Sequence, residues 1–426
     1  MSNMPLNLPV RETTLIAIVS VAVLFIFMSF GSAYGTRMLV EAACYAIIAL
    51  GLTIQWGYAG QFNAGVMGFV ALGGFCAMLF SMPTNPAFWD SGLPAQLGGV
   101  FLKVLFGIAL VVAASQSYRL GLSKKLRTAL TIAVAIIVYF TIKVNFMPVA
   151  AAIEEQAGYI GGLAMPVWMG WLAGAVLAGF VGYFIGHICL GLRSDYLAIA
   201  TLGVAEIIKA VLKNEDWLTR GTATVSPLPW PVPQPIDVGF VMARALYLSV
   251  TAVMIVVIFF LLHRAYHAPW GRMIRAIRDN EVSASAMGKN VNKRNLEIFV
   301  LGCFLMGLGG AALGSFNGIF DPQGYIPLNH TFLVLVMVIL GGPGNNLGTI
   351  IGTLVVYIIW IMSEPLALWL LEVFTSIGSS VFDWDAPSNL SSRALQARVF
   401  SIGLLIALVL RYAPKGLLPE KVPHHN

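Results

Sequence analysis

The sequence predicts an all-α, polytopic membrane protein of about 10–12 transmembrane helices, arranged as an inverted repeat with broken, glycine-rich helices. Three observations predict it. Of the 426 residues, 58% are hydrophobic and only 10% are charged, and mean hydropathy is +0.83; a soluble domain carries about a quarter charged residues. Apolar runs of spanning length recur along the whole chain, and the basic residues gather in alternate loops. Four cysteines, Cys44, Cys76, Cys189 and Cys303, lie in or beside apolar runs without metal spacing and read as small buried hydrophobes.

A span needs about 20 apolar residues. Such runs fall near 13–30, 38–56, 62–80, 98–114, 128–147, 167–190, 195–213, 244–263, 295–316, 331–360 and 395–412, with a weaker one at 365–380. The first is long, lacks a small-residue cleavage site and is followed by further spans, so it reads as a retained helix rather than a signal peptide. Residues 81–97 and 144–165 hold no Lys or Arg. The segment 115–127 carries Arg119, Lys124, Lys125 and Arg127, and 264–294 carries Arg264, Arg272, Arg275, Arg278, Lys289, Lys293 and Arg294. Arg411, Lys415 and Lys421 make the tail basic. Counted from a cytoplasmic N-terminus, all three basic segments fall inside, as the positive-inside rule asks. That parity requires 331–360 to cross once and 365–380 to be a full span. The net charge of +6 is therefore a topology signal, and no nucleic-acid partner is expected.

Two stretches cannot be plain spans. "GYAGQFNAG" at 57–65 places Gly57, Gly60, Gln61, Asn63 and Gly65 between strongly apolar runs. "LGGPGNNLGTIIG" at 340–352 contains Gly341, Gly342, Pro343, Asn345 and Asn346 within a run of 30 residues, about 45 Å of helix. Proline removes a backbone donor and glycine loosens the helix. Irregular backbone at membrane depth survives only when buried in protein or lining a wet cavity. Glycines also allow close helix packing, but the accompanying Gln and Asn favour a polar role. These glycines and amides are read as the wall of a substrate path.

A third stretch, "APWGRMIRAIRDNEVSASAMGKNVNKRNLE" at 268–297, reads as a helix opened by Pro269. Met273, Ile274, Ile277 and Ala284 share a face, and Arg275 and Asp279 can pair at i, i+4. The apolar face lacks the bulky row of a lipid-surface helix, so a helix that docks on another protein is favoured. Arg272, Arg275, Arg278, Asp279, Glu281, Ala284 and Gly288 are its expected contact residues, with Gly288 either ending the helix or admitting close approach.

Catalytic patterns are missing. No GxxxxGK[ST] loop is present, so ATP is not bound by a Walker A cradle. The histidines His187, His263, His267, His330, His424 and His425 form no HExxH, and no enzyme, metal or resident cofactor is expected. Ionisable residues inside spans are Glu41, Asp195, Glu206 and Lys209, functional by default; Glu206 and Lys209, at i, i+3, can neutralise each other. A chain of acidic groups, as an ion-driven carrier would use, does not appear.

Taken in order, "GLTIQWGYAGQFNAGVMGFVALGGF", "LRSDYLAIATLGVAEIIKAVL", "APWGRMIRAIRDNEVSASAMGKNV", "VILGGPGNNLGTIIGT" and "RYAPKGLLPE" resemble the permease subunits of high-affinity branched-chain amino acid ABC importers, specifically the longer of the two paired permeases. The resemblance runs over about 38–360 and 411–420. It implies a multi-pass permease of the bacterial inner membrane and a second, similar permease in a heterodimer. It further implies two cytoplasmic ATPase subunits that hold ATP and Mg, and a periplasmic substrate-binding protein. The whole of 1–426 would then be one permease domain, with 264–294 as the cytoplasmic loop that carries the coupling helix. Members usually place Ser-Leu-Gly-His after the GYAGQ turn; here it is "FNAG". The substrate therefore stays open between branched-chain or similar amino acids and urea or short amides, and an ion-coupled secondary amino acid carrier remains a rival.

Overall fold

The computed structural model describes residues 10–117, 123–382, 396–413 and 416–420. Arg119, Lys415, Lys421, His424 and His425 lie outside the described residues. In chain order the helices are α1 (Val10–Phe30), α2 (Ser32–Leu52), α3 (Val66–Ser81), α4 (Pro86–Trp89), α5 (Leu93–Ser115), α6 (Lys124–Ala157), α7 (Val167–Cys189) and α8 (Ser194–Asn214). They continue as α9 (Asp216–Thr219), α10 (Pro235–Val238), α11 (Phe240–His267), α12 (Pro269–Asp279), α13 (Glu281–Ala286) and α14 (Val291–Asn317). The last three are α15 (Leu333–Gly341), α16 (Asn346–Phe382) and α17 (Ala397–Tyr412), and wide π turns follow α2 at Thr53–Tyr58 and precede α15 at Leu328–Phe332. Among the described residues the only β pairing is two isolated bridges, Thr84–Gly161 and Val225–Phe320.

Eight of these helices are long and apolar enough to cross a membrane, and Val66–Ser81, Asn329–Gly341 and Val399–Val409 are shorter apolar helices. With α8, whose Asp195, Glu206, Lys209 and Lys213 dilute its apolar run, this agrees with the all-α, polytopic expectation. The chain is a multi-pass membrane protein.

Packing centres on α14, against which α2, α3 and α7 lie. Small residues make that possible. A Cβ at Gly174 would stand 3.0 Å from Gly73 Cα, and one at Gly51 would stand 2.7 Å from the Gly302 carbonyl. Lipid offers no hydrophobic drive between helices, so close backbone approach and dispersion must supply the association. Polar side chains inside this core find partners: Trp171 Nε1 donates to Ser315 Oγ at 2.9 Å, and the Tyr247 hydroxyl donates to the Ala312 carbonyl at 2.7 Å. All four cysteines are buried and free. By contrast α5 and α6 pack mainly on each other, with apolar side chains such as Phe101, Phe106, Ile137 and Phe140 exposed, as lipid-facing helices require.

Two span boundaries differ from the expectation. The run 331–360 is not one crossing, and 365–380 is not a span of its own. The chain leaves helix at Gly342 (φ 110°) and Gly344 (φ 90°), on either side of Pro343. The Asn345 side-chain oxygen then accepts from the Leu347 and Gly348 amides, 3.1 Å each, which caps a new helix. That helix, α16, runs 37 residues through Pro365. A proline inside costs one helical hydrogen bond without ending the helix where neighbours support it. The split leaves α15 with nine residues, about 14 Å, too short to cross without the turn before it.

Candidate functional site

The two glycine-rich breaks meet at one end of the bundle. The α2 helix widens at Thr53–Tyr58 and turns at Gly60, whose φ of 70° suits glycine and strains other residues. The turn is closed by Gly60 N donating to the Trp56 carbonyl and Gln61 N to the Gln55 carbonyl, both 2.9 Å. Gly57 lies so close to Gly344 that a Cβ there would collide with its backbone. Across the seam, Thr53 Oγ1 and Thr349 Oγ1 are 2.7 Å apart, and the Tyr58 hydroxyl donates to Asn346 Oδ1 at 2.8 Å.

The polar residues expected on a path are mostly engaged inside the chain. Asn63 is fully buried; its Nδ2 donates to Gln55 Oε1 at 2.9 Å, and its Oδ1 accepts from the Gly65 amide at 2.8 Å. Gln55 in turn donates to the Phe299 carbonyl at 2.7 Å. Gln61 Nε2 donates to the Asn295 carbonyl at 2.9 Å, but its Oε1 and the neighbouring Asn295 Oδ1 are buried with no partner among the described residues. Gly60 is exposed, Gly65 lies against the Thr201 carbonyl of α8, and Gly341 faces Gly348. On α8 itself Glu206 is exposed and makes no ion pair with Lys209 among the described residues. The expected mutual neutralisation is therefore not what the structure has.

The 268–297 segment meets the same seam. It is not one helix to Gly288 but two, because Asn280 turns extended (φ −156°) and its side chain caps α13 by accepting from the Ser283 amide at 2.9 Å. Ile274, Ile277 and Ala284 are buried, as their shared face predicts, while Arg272, Asp279 and Glu281 are exposed. Arg275 does not pair with Asp279. Its guanidinium lies 4.4 Å over the Tyr266 ring, and Asp279 instead approaches Arg278 Nε at 3.4 Å. Arg278 Nη1 donates to the Gly57 carbonyl and, at 2.9 Å, to Glu420 Oε2. Burial opposes the Arg278 charge, but the hydrogen bond and charge of Glu420, helped by Asp279, raise its pKa above the ordinary value. Gly288, at φ 75°, closes the helix pair, and a Cβ there would meet nothing within this chain.

At the opposite end, beside the Lys/Arg-free loop 318–332, a cavity of about 630 Å³ opens. Its wall carries both signs of charge: Arg37 and Arg244, with Glu41 and Asp321. Arg37 Nε donates to Glu41 Oε1 at 2.9 Å, and the Tyr357 hydroxyl donates to the other Glu41 oxygen. Arg244 Nη1 donates to the Ala33 carbonyl at 2.6 Å, while its Nε has no partner among the described residues. Tyr45 and His330 Nδ1 are 3.2 Å apart, and Leu313, Phe316 and Trp230 supply apolar wall. Of these residues only Glu41 stood out in the sequence. Arg37 and Arg244 sit 207 positions apart, and the signal that could have found them is an arginine near the outer end of each of two apolar runs.

The family model described as "Branched-chain amino acid transport system / permease component" matches residues 34–151 and 133–409. The chain is 25% identical over 254 residues to the high-affinity branched-chain amino acid transport system permease protein LivM of Escherichia coli (strain K12), covering 55% of this chain and 53% of that one. It is 23% identical over 233 residues to the probable branched-chain amino acid transport permease protein LivM of Methanocaldococcus jannaschii, covering 54% and 61%. A shorter match, 27% over 125 residues, covers 28% of this chain and 38% of the ribose import permease protein RbsC of Haemophilus influenzae. The chain spans about half the length of the LivM relatives it matches, and no solved structure matches it. Because the family model covers most of the chain, broken helices included, this protein belongs to the family of branched-chain amino acid transport system permease components.

Proposed function

We propose that the chain is one of two paired membrane permeases of an ABC importer that moves branched-chain or similar amino acids into the cytoplasm of a bacterium. The observation that carries this reading is the bond from Arg278 on α12 to the Gly57 carbonyl at the helix break. A short helix outside the spans, on the basic end, thereby grips the irregular backbone inside them. That is what a subunit needs if its conformational energy comes from a partner. Two cytoplasmic ATPase subunits, holding ATP and Mg, would seat on α12 and α13, and a periplasmic binding protein would deliver substrate to the charged cavity. This chain itself would perform no catalysis.

The cavity supports an amino acid over urea. A zwitterion presents a carboxylate to Arg37 or Arg244, an ammonium to Glu41 or Asp321, and an aliphatic side chain to Leu313 and Phe316; uncharged urea uses none of the charges. Exposed Glu206 on α8 fits the same picture, because a charge at membrane depth needs a wet cavity or a polar neighbour. The path would run between this chain and the second permease, with α8 and the turn at Gly60 and Gln61 on its wall, buried Asn63 and Gly65 supporting that turn from behind, and the seam of Gly57, Gly341, Gly342, Asn345 and Asn346 as its cytoplasmic gate.

The test is reconstitution in vesicles. The chain alone should show no uptake under an imposed proton or sodium gradient, whereas the complex with ATPase subunits should hydrolyse ATP faster when amino-acid-loaded binding protein is added. Gradient-driven uptake by the chain alone would reject the importer in favour of a secondary carrier. A second expectation concerns the cavity. Arg244→Gln removes a charge that can hold a carboxylate, worth about 1.5–3 kcal/mol, so uptake of leucine by the complex should drop at least about tenfold with assembly unchanged. Stimulation by urea rather than amino acids, with Arg244→Gln neutral, would transfer the substrate to the amide class.

A further inference from the structure

The C-terminal tail is woven into the seam. After α17 the chain returns to α15, where Leu417 N donates to the Leu340 carbonyl at 2.6 Å and Leu418 N to the Gly341 carbonyl at 3.1 Å. These are carbonyls that the break at Gly342 leaves without helical donors. Leu418 is buried with Val19 of α1 and Ile351 of α16, which fixes the tail and aims its next charged side chain inward. That side chain is Glu420, 14% exposed.

One carboxylate then meets three segments and, through Arg278, a fourth. Its Oε2 accepts from Arg278 Nη1 of α12 at 2.9 Å, and the same nitrogen donates to the Gly57 carbonyl of the first break. Its Oε1 accepts from the Tyr266 hydroxyl near the end of α11. A Cβ at Gly344, in the second break, would come within 3.1 Å of Oε2. The Tyr266 ring packs on Tyr58, 4.7 Å between centroids, and Tyr58 donates to Asn346 at the start of α16. Without Glu420, Arg278 keeps Gly57 and exposed Asp279 but loses its buried charged partner, and Tyr266 loses its acceptor.

We propose that Glu420 is a positioning residue, the pin through which movement of α12 reaches both helix breaks at once. This rests on the importer reading. Its logic is mechanical: Arg278 alone would pull only the first break, and the tail alone holds only the second. A shared carboxylate makes the two breaks respond together, as a gate must. The charge also selects the arrangement, since a neutral amide at 420 could accept a hydrogen bond but would not hold a guanidinium away from water.

Two measurements on the full chain test this. In lipid nanodiscs, hydrogen exchange at the amides of residues 57–61, 342 and 344–346 should accelerate at least about fivefold in Glu420→Gln, with Glu420→Asp closer to the parent. In the reconstituted complex, uptake per ATP hydrolysed should drop about tenfold in Glu420→Gln and recover in large part in Glu420→Asp. Arg278→Gln should give the same loss, and the double variant no more than either single, because the two act as one unit. Parental exchange at either break, parental uptake per ATP, or additive losses would overturn the proposal. A parent chain that seats no ATPase would instead overturn the importer reading and the coupling role with it, and that result is read before any variant is made.

Discussion

Asn63→Leu is expected to abolish recovery of folded chain. The substitution removes both ends of a buried bridge, leaving Gln55 Oε1 and the Gly65 amide without the partners they have now. Each buried group left unpaired costs about 1–3 kcal/mol. Two of them, together with a branched side chain in a fully buried site, approach the about 5–15 kcal/mol that holds a typical protein folded. Monodisperse recovery in detergent and the melting temperature are the measurements. Gln61→Leu makes the contrast. It loses one bond to the Asn295 carbonyl but also removes an oxygen that has no partner among the described residues, so the fold should survive while uptake suffers. Asn345→Leu should fall between them, losing a helix cap worth about 1 kcal/mol. If Asn63→Leu melted with the parent while transport vanished, Asn63 would be a path residue free of structural duty.

Gly288→Trp is expected to abolish stimulation of ATP hydrolysis by the loaded binding protein, with the spans still folded. Gly288 closes the α12–α13 pair in a left-handed conformation, where a side chain costs about 1–2 kcal/mol. Nothing in this chain lies within 4 Å of the position a Cβ would take. The indole would therefore meet no obstacle within the chain and would project where the ATPase should seat. Arg275→Glu should be milder. It gives up the stacking on Tyr266, about 0.5–2 kcal/mol, without touching the Arg278–Glu420 pair. Full stimulation in Gly288→Trp would return α12 and α13 to the membrane surface and remove them from coupling.

Much of this was open to inspection in the amino acids themselves. Composition alone excludes a soluble domain, and the alternation of basic and Lys/Arg-free loops orders the spans, because charge cannot be left in lipid and must gather between them. The two helix breaks were visible as glycine, proline and amide clusters inside apolar runs, since few other sequences interrupt a helix there. The apolar face of α12 followed from spacing, and Ile274 and Ile277 are buried on it, with Ala284 buried on α13 beyond the break at Asn280.

Partnership was another matter. Spacing put Arg275 on Asp279 and Glu206 on Lys209, yet Arg275 stacks on Tyr266 and Arg278 takes Gly57 and Glu420 instead. Local geometry makes such a pair possible but worth only a few tenths of a kcal/mol, so a contact such as the stacking of Arg275 on Tyr266 outweighs it. For the same reason the breaks could be located along the chain but not joined. That Gly57 touches Gly344, that Asn346 answers Tyr58, and that a glutamate six residues from the C-terminus closes the knot are contacts between residues far apart in sequence. The positions of interruption are set locally, by which residues can continue a helix. What those interruptions do was decided only when the packing of α2, α14 and α16 brought them to the same end of the bundle, where Arg278 and the tail satisfy the carbonyls they leave unpaired.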